Sequence, residues 1–176
     1  MNQLWDTPIY TVNNQVIVEL ENDYDEFYIR SVDANDNQSE KSEYIGVHNL
    51  GIGANLVGVC IAPEDNSIAN VMGDGVSSII GEGIAANLIN DESWVGSLTQ
   101  INSGDGYWVT ADEDLVHLTV GYKNEGPMEH ELSNGLELIS YCCSGLLELN
   151  DYMEVLYDQG ITAFLGEGVA AQQLAN

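Results

Sequence analysis

The stretch VSSIIGEGIAANLI, residues 76–89, places β-branched residues ahead of a kink framed by two glycines. Residues 159–174 align with residues 74–89 at a shift of 85 positions, and six of the sixteen aligned positions are identical. Both stretches contain Gly-Glu-Gly followed by an apolar residue and two alanines. Because glycine adopts positive φ without steric cost, the phrase predicts a bulge or a positive-φ kink in both places.

A second block of similarity lies upstream of each of these stretches. Residues 130–143 align with residues 48–61 with a shift of 82. The identical pairs are His48 with His130, Leu50 with Leu132, Gly53 with Gly135, Leu56 with Leu138, and Cys60 with Cys142. The three extra residues fall between the blocks, where loops tolerate insertions. Two collinear blocks predict a tandem repeat of one small module.

The second copy of the repeat is predicted to be incomplete. It ends at Asn176, which corresponds to Asp91, and nothing in it answers to residues 93–120 of the first copy. A sheet without its closing strands leaves backbone groups unpaired and apolar side chains in water. Three remedies stay open: strands from another chain, docking of the N-terminal segment, or a longer natural polypeptide.

Hydrophobic patterns predict the elements of each segment. Residues 9–20 alternate about an Asn-Asn turn, which predicts a hairpin. Residues 54–62 predict a buried strand, and residues 64–75 predict a helix that ends at glycine. Its apolar face would hold Ile68, Val71 and Met72. Residues 93–101 predict another strand and residues 107–120 a closing hairpin. This order of strand, helix and strands predicts a β-rich α+β fold.

The charge balance argues against two classes of partner. The 176 residues include 29 Asp and Glu against 3 Lys and Arg, and 44% of them are hydrophobic. Binding to nucleic acid or anionic membranes depends on Lys and Arg, so neither is expected. The hydrophobic content supports a folded core. The acids either form a solvated surface or imitate DNA. A solvated surface is preferred, because the acids interrupt Gly-rich segments and do not line long helices.

The cysteines do not suggest a disulfide framework. They are Cys60, Cys142 and Cys143, an odd number with two adjacent. Each lies in an apolar run, so a small buried side chain is preferred to a reactive thiol. The cysteines and histidines are not spaced in the sequence as metal ligands are, and no metal or cofactor is expected. The N-terminus lacks a signal-peptide pattern and no run of 18 apolar residues occurs, so membrane insertion is not expected.

Three aromatic residues are the candidate ligand-binding residues: Trp94, Tyr107 and Trp108. Aromatic faces stack on sugars and anchor interfaces. Successive residues of a strand point to opposite faces, so one of the two aromatics in GYWV is expected in the core.

The acids of the Gly-Glu-Gly phrases, Glu82 and Glu167, are interpreted as turn residues. Each lacks a partner at the spacing that acid–base catalysis needs, so no catalytic residue is assigned. The Gly-Asp-Gly triplets and the acidic runs match no Ca²⁺ loop pattern and are interpreted as solvated turns. The chain is therefore expected not to be an enzyme.

Residues 26–47 resemble the last strands of a fibronectin type III module. The matching residues are Tyr28, Ile29, Arg30, Ser31, Val32, Asp33, Asn37, Ser39 and Ser42. Asp36 stands where glycine is common, and the segment has no room for the first half of a sandwich. Residues 1–47 are therefore expected to form a partial fibronectin-like β segment.

The phrases NLVGVCI, IIGEGIAANLI, WVGSLTQI and GDGYWV, in this order, resemble a Gly-Tyr-Trp repeat module. The resemblance implies a first module at residues 48–122 and a second, truncated module at residues 130–176. Such modules occur beside fibronectin type III units in large secreted proteins of marine bacteria and in fibre proteins of their tailed phages.

The resemblance implies a structural or adhesive role. We expect an oligomeric component of a phage virion, in its tail or fibre, because no signal peptide is present. Its expected partners are other copies of the chain, other virion proteins and a host-surface glycan. The first alternative is a secreted bacterial surface or carbohydrate-binding module. An enzyme on marine polysaccharides and a DNA mimic are further alternatives.

Overall fold

The computed structural model describes residues 24–28, 32–33, 35–37, 43–90, 92–123, 129–142 and 153–172. In chain order the elements are β1 (Tyr24–Phe27), β2 (Tyr44–Leu50), β3 (Gly53–Gly58), β4 (Ile61–Ala62), α1 (Ile68–Val71), β5 (Val76–Ile80), β6 (Ala85–Ile89), β7 (Ser93–Gly96), β8 (Gly106–Ala111), β9 (Leu115–Lys123), α2 (Met153–Asp158), β10 (Ala163–Gly166) and β11 (Val169–Gln172). The chain is strand-rich with antiparallel sheets. The hairpin expected at residues 9–20 lies outside the described residues.

Two larger sheets share one core. The first has the strand order β1–β2–β9–β4 and the second the order β3–β8–β5–β6–β7. Leu50 of β2 belongs to the core of the five-stranded sheet, and Leu115 of β9 packs against it. β2 pairs with β9 along its whole length, so it crosses the boundary expected between residues 47 and 48.

Two predicted elements are divided between the sheets. Residues 54–62 form β3 in one sheet and β4 in the other, and residues 107–120 form β8 and β9, which do not pair with each other. The predicted closing hairpin is therefore wrong. The side chain of Asp114 accepts the N–H of Ile52 at 2.9 Å. This bond links the β2–β3 connection to the β8–β9 connection, and each of these connections passes from one sheet to the other. Alternation of apolar and polar residues is the same in a hairpin and in such a crossing.

Helix α1 is one turn long, shorter than the helix expected over residues 64–75. The N–H of Ile68 donates to the carbonyl of Thr99 at 3.0 Å, and Ser67 forms a β-bridge with Gln100. The backbone before Ile68 is thus engaged with another segment and cannot start a helix earlier. The three residues expected on its apolar face are buried: Ile68, Val71 and Met72.

The C-terminal part contains α2 and a two-stranded hairpin, β10–β11. Leu165 lies opposite Ala170 in this hairpin, as Ile80 lies opposite Ala85 in β5–β6. The alignment with residues 48–61 leads us to expect a strand within residues 130–143, but the described residues 130–142 contain only one bridge, between Ile139 and Asp105.

Cys60 and Cys142 form a disulfide, with Cα atoms 5.1 Å apart. The expectation that the cysteines are unpaired is therefore wrong for these two. Gly104 explains how they meet: its N–H donates to the carbonyl of Val59, and its carbonyl accepts the N–H of Ser140, both at 2.8 Å. Both cysteine-containing segments are thus held against Gly104, a contact that cysteine count and spacing do not reveal.

Candidate ligand-binding face

Tyr107 lies in the core, with 2% of its surface exposed. Its hydroxyl accepts the N–H of Asn102 at 2.9 Å and donates to the carboxylate of Asp105 at 3.2 Å. Burial, which disfavours the phenolate, raises the pKa of Tyr107 to about 12. This residue supports the fold and presents almost none of its ring to a ligand.

Trp108 lies on the opposite, outer face of the five-stranded sheet, as the alternation predicts, and is half-buried. Its cross-strand neighbours are Leu56 of β3 and Ile80 of β5. Ile80 is 50% exposed. These three residues make a short apolar row beside which a ligand ring could stack.

A row of polar residues lies next to the apolar row on the same face. Ser78 is opposite both Thr110 and Asn87 in the sheet. The hydroxyl of Ser78 donates to that of Thr110 at 2.8 Å, and Asn87 is exposed. A tryptophan beside hydroxyl and amide groups has the chemistry of a sugar-binding surface, with stacking from one row and hydrogen bonds from the other. We call these six residues the Trp108 face: Leu56, Ser78, Ile80, Asn87, Trp108 and Thr110.

Trp94 does not join Trp108. It lies opposite Leu88 in the edge strand β7 and packs against the core. Trp94 shares the inner face of the sheet with Ala86, which is buried and lies two residues before Leu88 on the same strand. The structure therefore divides the three aromatic candidates between two faces of one sheet.

The two Gly-Glu-Gly turns place their acids against other segments. A carboxylate oxygen of Glu167 accepts the N–H of Leu56 at 2.9 Å, at the edge strand β3. The side chain of Glu82 lies near that of Glu137. Hydrogen bonds from the Ser133 side chain and backbone are the main cause that lowers the pKa of Glu137. Both turn acids are exposed.

A pair of buried histidines, His48 and His117, was not foreseen as a unit. They lie opposite each other on β2 and β9, with ring centroids 6.2 Å apart. Burial, together with the nearby His117, lowers the pKa of His48 to about 4, and burial lowers that of His117. Both rings are therefore neutral at pH 7. The pairing of β2 with β9 brings the two histidines together, and no local sequence pattern predicts this pairing.

Within the part of the chain that the structure describes, no three His, Cys, Asp or Glu side chains are arranged to hold a metal ion. Nor does any helix there have the length and apolar character to cross a membrane. Comparisons of the chain with protein-family models, with curated proteins and with solved structures gave no match.

Proposed function

We propose that this chain is a non-enzymatic structural and adhesive component of a phage virion, in its tail or fibre, which assembles by sharing strands with other chains. The hairpin β10–β11 carries this proposal. Among the described residues it pairs with no third strand, and it exposes Leu165 and Val169 by 64% and 71%. A two-stranded hairpin is marginally stable in water, and a strand from another chain would pair with its free edge.

The proposal includes an α+β tandem repeat whose second copy is incomplete. At a shift of 85, the residues of α1 (Ile68–Val71) fall within α2 (Met153–Asp158). The two hairpins share the same register at that shift, and Gly83 and Gly168 have the same φ of 68°. These three agreements support a common module.

An apolar stripe on β9 also supports assembly with other chains. Each of its side chains is about half exposed: Val116, Leu118, Val120 and Tyr122. Exposed apolar patches often mark interaction surfaces. The net charge of −26 keeps free chains apart at low salt, and salt at seawater strength screens that repulsion.

Sedimentation tests the assembly. The average mass of the unaltered chain is expected to rise from low salt to about 0.5 M NaCl, where charges are screened within a few ångströms. Leu118→Lys is expected to reduce this rise, and Asn87→Lys, on the other sheet, serves as the control. A chain that stays monomeric at both salt concentrations would contradict assembly.

The virion location is supported by the Cys60–Cys142 disulfide, since disulfides persist outside the reducing cytosol. Antibodies to the chain are expected to label intact particles of the phage that carries this sequence, viewed by immunogold microscopy. Label confined to lysate debris, or to the bacterial surface, would overturn the location.

The Trp108 face favours a second candidate, a carbohydrate-binding module. A glycan array tests it, with Trp108→Ala expected to abolish binding and the exposed Leu136→Ala as control. Turnover of a marine polysaccharide that is lost in Glu82→Gln would instead overturn the non-enzymatic proposal.

A further inference from the structure

We infer that Leu56, Gly58, Cys60 and Glu82 form a homotypic pairing face, and that the first module of a second copy of this chain binds to it when the C-terminal segment of its own chain is displaced. The inference rests on the repeat proposed above. Within one chain, the corresponding residues of the second copy already occupy this pairing face, and their contacts with Gly58, Val59 and Cys60 follow a local twofold axis. Their further contacts with residues 104–106 have no images, because the second copy has no residues that correspond to that segment.

Two contacts lie on the axis itself. Cys60 is bonded to Cys142, its own counterpart at a shift of 82. Gly58 lies against Ser140, again its counterpart: a Cβ on Gly58 would be 3.0 Å from the Ser140 hydroxyl. In an interface with twofold symmetry, a residue can meet its own equivalent only at the axis. The two segments therefore run side by side in the same direction.

Two further contacts are exchanged across the axis. The sulfur of Cys60 is 3.7 Å from the carbonyl oxygen of Tyr141. The sulfur of Cys142 is 3.7 Å from the carbonyl oxygen of Val59, the counterpart of Tyr141. Each contact is thus the image of the other, at the same distance.

The Gly-Glu-Gly turns make the outer pair of contacts. Glu167 accepts the N–H of Leu56 at 2.9 Å. Its counterpart Glu82 lies near the side chain of Glu137, the residue before Leu138, which is the counterpart of Leu56. Each Gly-Glu-Gly turn thus approaches the corresponding segment of the opposite copy, Glu167 through the Leu56 N–H and Glu82 through the side chain of Glu137.

The first module carries every group that this interface needs. Two first modules related by the same axis would form a Cys60–Cys60 disulfide and two hydrogen bonds from Leu56 N–H to Glu82. Gly58 would face Gly58, where neither residue has a side chain to obstruct the approach. The partner is therefore a second copy of this chain, bound through the same residues on both sides.

The C-terminal segment of the same chain binds the pairing face in preference to a second molecule, because its effective concentration is high. Removing its anchors should open the face to another molecule. The full chain with Cys142→Ser, Cys143→Ser and Glu167→Gln keeps Cys60 as its one cysteine. When two Cys60 thiols join, their two protons and two electrons pass to oxidised glutathione, which becomes two molecules of reduced glutathione.

The experiment incubates this variant with oxidised glutathione in about 0.5 M NaCl, where charge repulsion is screened, and measures linked dimer on non-reducing gels. We expect a Cys60–Cys60 dimer by peptide mapping. Adding Glu82→Gln should lower its yield about tenfold, because two hydrogen bonds per dimer are weakened. Glu92→Gln, an exposed acid outside the pairing face, should leave the yield unchanged.

Three outcomes would overturn the inference: no dimer, mixed disulfides with glutathione alone, or equal yields with Glu82→Gln and Glu92→Gln. If the variant does not fold, the unaltered chain is reduced and reoxidised at rising concentration. Its dimer fraction should contain the Cys60–Cys60 peptide, and dimers linked only through Cys142 or Cys143, or none, would count against it. A negative result removes the pairing face and leaves the virion role, which is tested on particles.

Discussion

Tyr107 and Trp108 are neighbours in the sequence with opposite environments. Tyr107 is enclosed in the core and its hydroxyl is hydrogen-bonded, whereas Trp108 borders solvent beside Leu56 and Ile80. Strand geometry alone separates the two side chains, but which of them faces the core depends on where the second sheet packs. At this scale, chemical type does not reveal whether an aromatic residue serves stability or binding.

Tyr107→Phe is expected to lower the free energy of unfolding by about 1 kcal/mol, because the Asn102 N–H and Asp105 lose the hydroxyl that they share. Urea denaturation measures the change. Tyr122→Phe is the matched control, since Tyr122 is 61% exposed. Equal losses in the two variants would show that the buried hydroxyl has no special role.

The histidine pair predicts a pH dependence. Unfolded His48 takes up a proton near pH 6.5, but the folded ring does so only near pH 4. The unfolded state therefore binds more protons between these values, and stability falls as the pH is lowered through this window. Between pH 6.5 and pH 4 the proton uptake of His48 lowers the free energy of unfolding by about 3 kcal/mol.

His48→Gln should flatten this fall in urea denaturation at pH 7 and pH 5, where the difference from the unaltered chain cancels the contribution of the carboxylates. The exposed His130→Gln is the control and should keep the original slope. A slope that both variants share with the unaltered chain would contradict the assignment to His48.

At the scale of elements, the hairpins show how far local chemistry reaches. In β5–β6 and in β10–β11 the second glycine of Gly-Glu-Gly has a φ of 68°. This conformation costs a residue with a Cβ atom about 1–2 kcal/mol. The turn thus sets the register of each hairpin. What lies beside the hairpin is not set locally: β5–β6 joins a five-stranded sheet, whereas β10–β11 pairs only with itself among the described strands.

Gly83→Ala is expected to lower the free energy of unfolding by about 1 kcal/mol through backbone strain alone, because a Cβ there would meet no atom within 4 Å. Thermal or urea unfolding measures the loss. Gly73→Ala is the control: it is equally open but does not have a positive φ, so its effect should stay within about 0.5 kcal/mol. A loss of similar size at Gly73 would rule out strain as the cause.

At the scale of the molecule, the Cys60–Cys142 disulfide joins the C-terminal segment to the chain between β3 and β4, across 82 residues. Closing so long a loop constrains the unfolded chain, so Cys142→Ser is expected to lower the free energy of unfolding by about 3 kcal/mol. Unfolding with and without a reducing agent measures this. The control, Cys143→Ser, should match the unaltered chain, and insensitivity of the unaltered chain to the reductant would contradict the bond.

The sequence by itself determined the hairpin kinks at Gly83 and Gly168, the buried face of α1 and the alternation around Tyr107, because each depends on residues a few positions apart. Only the tertiary structure decided that β8 and β9 lie in different sheets, that His48 meets His117, and that Cys60 bonds to Cys142. These contacts join residues far apart in the chain. An alternating pattern states which face of a strand is apolar, but it does not name the partner that covers that face.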